Sequence, residues 1–177
     1  MESQITLVDA PSSHFTITFE KNSMKNNTVW INSRPVYTIS TSDASDTRTT
    51  IFNNLIQRTL VTVQRRSLLA DALTFDDRYD GKKVKIDSWL RAIKLPDGNP
   101  GHVIRTTQGN YIWKVDIVHR HVLYAEEDLD TPLAYMVIAT ATSPMSLIIA
   151  REVEDIVDDI LVSFMILELR MRLREKW

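Results

Sequence analysis

Residues 152–176 read EVEDIVDDILVSFMILELRMRLREK, acidic at the start, apolar all round in the middle and basic at the end. That order predicts one helix over about 152–175. Between Ile160 and Leu169 only Ser163 and Glu168 are polar, so the apolar side chains point in every direction around the axis. A surface helix shows a single apolar stripe instead. A membrane span needs roughly 20 apolar residues in a row; here the run is about half that, flanked closely by Asp158, Asp159, Arg170 and Arg172. Burial of the large apolar side chains, at roughly 1.5–3 kcal/mol each, is a gross gain on the order of 10 to 20 kcal/mol. Each charge that complements the helix dipole adds only a few tenths of a kcal/mol. The helix is therefore expected at the centre of the core.

Upstream of it, short runs of β-branched and aromatic residues alternate with turn-forming clusters, an all-β pattern. Strands are expected at 14–20, 28–32, 35–40, 48–53, 60–66, 72–75, 82–86, 89–94, 102–106, 111–116, 121–126 and 133–140. Between several of them lie Asp80-Gly81, Gly109-Asn110 and the cluster 96–101, which supply the positive φ of tight turns. Phe15, Ile17 and Phe19 alternate with His14, Thr16 and Thr18, giving one buried and one wet face. The fold class is mainly β, an antiparallel meandering sheet or barrel of about 12 strands closed around the C-terminal helix.

At 177 residues, with only 4 glycines and 6 prolines and no linker, the chain is expected to be one domain, residues 1–177, with a short flexible N-terminus over 1–12. A formal net charge of -2 provides no whole-molecule field for nucleic acid, so an electrostatic partner must use a local patch. The absence of cysteine removes disulfides, thiol nucleophiles and thiolate metal sites, and fits a reducing compartment. The first residues lack the features of a secretory signal. A cytoplasmic location, peripheral at a membrane, is the expectation, and the sequon at Asn26 is read as incidental.

Thr49-Thr50-Ile51-Phe52 leading to Leu60-Val61-Thr62-Val63, then residues 109–115 (GNYIWKV), Val122-Leu123-Tyr124-Ala125-Glu126 and Pro132-Leu133-Ala134 resemble a fungal family of domains of unknown function related to the tubby C-terminal-like superfamily, which includes tubby, the LURP-one-related proteins and the phospholipid scramblases. The resemblance runs from about residue 14 to the end. It implies a tubby-like barrel of about 12 strands threaded by the C-terminal helix, and association with lipid. It carries no functional residue onto this chain.

The densest local charge is Lys82, Lys83, Lys85, Arg91 and Lys94, offset within the span by Asp87. These five are the candidate anion or lipid site, since Lys83 and Lys85 share a strand face and bases from an adjacent strand can converge with them on a phosphate or acidic headgroup. The plain alternative is a set of solvated lysines that keep strands soluble. Arg65-Arg66 is a smaller case, and Arg170, Arg172 and Arg174 are read as helix-end complementarity. His119 and His121 share a face if they lie in one strand, but a third metal ligand is missing nearby, so no metal and no cofactor is expected. The acidic runs 126–130 and 76–80 lack calcium-loop spacing. Trp30, Trp89 and Trp113 are read as core or wall residues.

No phosphate loop, dinucleotide fingerprint or nucleophile elbow occurs. Glu168 is the one residue that could hide a general acid or base: enclosed, it must be paired or carry a raised pKa; alternatively it pairs with Arg172 one turn later. Two functions follow as expectations. One is a non-catalytic tubby-like module binding anionic lipid headgroups, a small apolar ligand or a protein partner. The other is a small cofactor-independent isomerase or cyclase of a fungal biosynthetic pathway, with an apolar pocket between barrel and helix.

Overall fold

A computed structural model describes residues 12–42, 47–66 and 68–174. The N-terminal segment 1–11, expected to be flexible, lies outside the described residues. Among the described residues thirteen strands form one antiparallel sheet. The first seven are β1 (His14–Phe19), β2 (Asn27–Ile31), β3 (Arg34–Thr41), β4 (Arg48–Asn53), β5 (Arg58–Gln64), β6 (Ala72–Phe75) and β7 (Lys83–Lys85). A single helical turn, α1 (Ile86–Trp89), leads to β8 (Leu90–Lys94), β9 (Pro100–Thr106), β10 (Gly109–Asp116), β11 (Arg120–Ala125), β12 (Ala134–Val137) and β13 (Ser146–Ala150). A 3-10 segment, Arg151–Ile156, then opens into α2 (Val157–Arg174). The single helix expected over 152–175 is thus divided, because Val153 departs from helical backbone at φ -111, ψ 18.

Two meanders, β1 to β7 and β8 to β13, join where β1 pairs with β13. Strand β13 is the one the expected pattern lacks. All of its residues but Ile148 are buried, so it reads as an apolar run with no alternation to separate it from the helix that follows. The ends of the ladder are β7 and β8, consecutive in sequence. The ladder is not closed, and the topology explains why. Alternating direction through an odd number of strands leaves β7 and β8 running the same way. A parallel pair needs a crossover of about a dozen residues, whereas α1 has 4. Instead α1 buries Ile86 and Trp89 in the core between them.

Local sequence accounts for the hairpins. Asn32 and Ser33, both at positive φ (48 and 62), make the two-residue turn between β2 and β3, where Ile31 pairs Arg34. Phe15, Ile17 and Phe19 face the core as the alternation predicts. Helix α2 is buried all round from Asp159 to Glu168, and its Phe164 lies between Phe19 and Trp113, from different meanders, with ring centroids 5.7 and 6.2 Å away. The indole of Trp113 donates to Ser163 Oγ at 2.8 Å, and that hydroxyl donates to the Asp159 carbonyl. The polar Ser163 inside the apolar run is therefore satisfied.

Candidate functional site

The antiparallel order sends every second connection to the same end of the sheet. At the end where α2 begins, acids collect: Glu154, Asp155, Asp158 and Asp159 on the helix approach, and Glu126, Glu127, Asp128 and Asp130 in the loop between β11 and β12. Arg78 binds buried Asp159 at 2.7 Å and Tyr37 donates to Asp158 at 2.6 Å. Burial, reinforced by the Asp158 charge, pushes the Tyr37 hydroxyl well above its usual range, so it stays a donor. These bonds tie the first turn of α2 to β3 and to the connection between β6 and β7.

At the opposite end α2 delivers Glu168, Arg170, Arg172 and Arg174. Glu168 is 1% exposed. Arg120 Nε donates to Oε2 at 2.7 Å, Arg172 Nε donates to Oε1, and His121 Nε2 stands 2.9 Å from Oε2. Burial alone would raise this carboxyl, but the hydrogen bonds from His121, Arg120 and Arg172 overcome it and hold the pKa down at about 2. An ionised carboxylate only accepts, so His121 Nε2 carries the proton. The two alternatives set out for Glu168 meet here: it is enclosed, and it also pairs with Arg172 one turn on. A carboxyl held this low is not poised as a general acid or base near neutral pH.

Arg120 reaches Glu168 through an unusual backbone. Its φ is 62, and the His121 N–H donates to the His119 carbonyl across it at 2.6 Å. This tight turn breaks strand alternation, so His119 and His121 do not share a face. His119 stacks on Tyr135 with centroids 4.6 Å apart, while His121 turns inward against Trp113 and Phe164. Left-handed φ in a long side chain costs energy and persists only where surrounding contacts hold it; here the buried carboxylate does so. Among the described residues no three His, Cys, Asp or Glu side chains stand where they could hold a metal ion.

Arg172 also donates to the carbonyl and side chain of Asn22, at 2.9 and 2.6 Å, fixing the loop between β1 and β2. Arg170 pairs with the mostly exposed carboxylate of Asp87 at 3.0 Å. With Arg174 it rims a hollow of about 110 Å³ floored by His102, Trp113, His121 and Leu167. Burial, then the positive charges of Arg170 and Arg174, push the His102 imidazole below its ordinary value. The hollow is smaller than the roughly 300–1,000 Å³ of small-molecule sites.

The five bases nominated from sequence do not form one cluster. Lys82 sits toward the acidic end, 3.6 Å from Asp80. Lys83 and Lys85 share the outer face of β7, opposite the partly buried Val84. Arg91 is on the outer face of β8, at the other end of the sheet, with α1 between the two strands. Lys94, on the other face of β8, pairs in register with Pro100 near the hollow. Sequence reading missed Arg120, which offered no signal beyond its place between two histidines.

No helix among the described residues is long and apolar enough to cross a membrane. The model of a family described as a family of unknown function, DUF6593, matches residues 22–173. That description names neither tubby-like proteins nor fungi. No curated protein and no solved structure matches the chain.

Proposed function

The chain belongs to DUF6593, a family of unknown function, and we propose that it is a non-enzymatic binding module, a tubby-like fold with its open sheet packed around α2, that takes anionic lipid headgroups at its arginine-bearing end. The observation that carries this reading is the set of guanidinium groups held there. Arg120 and Arg172 are fixed on one buried carboxylate, and Arg170 and Arg174 rim the hollow beside them. One carboxylate between two arginines leaves a net positive charge, and arginines already held in place lose little side-chain entropy when they take up an anion. Arginine also matches phosphate and carboxylate oxygens in a bidentate manner. A cytoplasmic protein recruited peripherally to a membrane is the role this chemistry suits.

Sedimentation with vesicles tests it. The protein is expected to pellet with vesicles of phosphatidylserine and phosphatidylcholine mixed equally, to stay in solution with phosphatidylcholine alone, and to be released as salt rises. Equal failure to bind both vesicle types removes the lipid reading.

A further inference from the structure

Among the described residues, the exposed large apolar side chains other than Val115 lie in strand connections. At the end where α2 terminates, the connection between β10 and β11 presents Ile117, 99% exposed, and Val118, 71% exposed. The connection between β5 and β6 presents Leu68 and Leu69, 94% and 66% exposed. Both loops start beside α2: Val115 lines the hollow with Met171 and Arg174, and Arg65 lines a recess with Met165, Ile166 and Leu169. Arg65 and Arg66 precede one apolar pair and Asp71 follows it; Asp116 precedes the other, accepting from the Val118 and His119 N–H groups, and Arg120, bound to Glu168, follows it. Both pairs sit on tips rather than on a strand face, where they cover none of the protein's own core.

A protruding apolar pair next to arginines is the pattern of a surface that enters the boundary between headgroups and acyl chains, where each part meets matching chemistry. The same molecule contains a built-in contrast. Leu55 and Ile56 are also exposed, at 61% and 51%, but they occupy the opposite end, where the acids outnumber the bases and Leu55 shares a recess with Arg34, Glu154 and Asp158. An anionic surface repels that end.

We infer that the protein docks on an anionic bilayer end-on, with the axis of α2 pointing its C-terminal end at the membrane and with Leu68, Leu69, Ile117 and Val118 immersed at the headgroup boundary. This rests on the headgroup reading and adds to it an orientation and an apolar insertion. The occupant is a lipid bilayer, because the charge at this end complements anionic lipid and the apolar tips need an acyl phase that a free headgroup does not offer.

The absence of native cysteine makes the test clean. The full-length variants Ile117→Cys, Leu68→Cys and Leu55→Cys are each labelled with an environment-sensitive nitrobenzoxadiazole dye and mixed with vesicles of phosphatidylserine and phosphatidylcholine in equal parts. The dye at positions 117 and 68 is expected to brighten and shift to the blue, while the dye at 55 stays as in buffer. In parallel, Ile117→Asp with Val118→Asp is expected to weaken sedimentation by about tenfold, while Leu55→Asp with Ile56→Asp leaves it within about twofold. If unlabelled protein pellets with these vesicles but the dyes at 117 and 68 stay unshifted and the aspartate variants bind alike, the end-on insertion is overturned and the headgroup reading stands. If unlabelled protein does not pellet at all, both fall.

Discussion

Glu168 shows how one buried charge organises a site. Its ordinary pKa is 4.5 and its folded value is about 2, so the folded state favours the ionised form. Stability from this group is fully present above about pH 4.5 and is lost as pH falls toward 2. The loss is on the order of 3 kcal/mol. Acid unfolding of the wild type followed by circular dichroism should therefore steepen through this window, and Glu168→Gln should flatten it. The same variant leaves two arginines facing a buried amide, and is expected to lower stability at pH 7 by about 3 kcal/mol; an unchanged denaturant midpoint would contradict the ion-pair account. Ser163 is a neutral counterpart. Replacing it by alanine strands the Trp113 N–H in a dry core, at an expected cost of about 1–3 kcal/mol in urea unfolding, whereas Ser12→Ala at the exposed start of the described chain should change stability by less than about 0.5 kcal/mol.

At the scale of elements, α2 is what the strands are built around. Leu161 and Ile166 are 0% and 5% exposed, so Leu161→Asp or Ile166→Asp places an unpaired charge in the core and should abolish soluble folding. Either variant remaining soluble with an unchanged melting curve would show that the helix is not enclosed. This helix was readable in the sequence because its apolar residues run all round the axis, and most strands were readable from alternation and turn residues. Strand β13 was not, because burial on both faces erased the period that distinguishes a strand from a helix. The site was less readable still. Local density drew attention to Lys82–Lys94, but the guanidinium cluster is assembled from Arg120 and the end of α2, which are 48 residues apart at the Arg120–Glu168 contact. Arg170, Arg172 and Arg174 were visible as complements to the helix dipole. What sequence spacing does not carry is the left-handed turn at Arg120 that brings a strand residue onto their carboxylate.

Over the whole molecule, a net charge of -2 conceals a division along α2, acids at its start and arginines at its end. Such a charge separation orients a protein in the field of an anionic surface without any net attraction of the molecule as a whole. It also separates the two basic candidates experimentally, since Lys83 and Lys85 lie on the outer face of β7 and Arg170 and Arg174 rim the hollow. The most direct measurement is the affinity for vesicles of phosphatidylserine and phosphatidylcholine in equal parts, compared between Arg170→Glu with Arg174→Glu and Lys83→Glu with Lys85→Glu. The two doubles change formal charge equally. The helix-end double is expected to bind at least about tenfold more weakly, while the β7 double stays within about threefold of wild type. Equal losses in the two, or a greater loss in the β7 double, would contradict the assignment of the site to the end of α2.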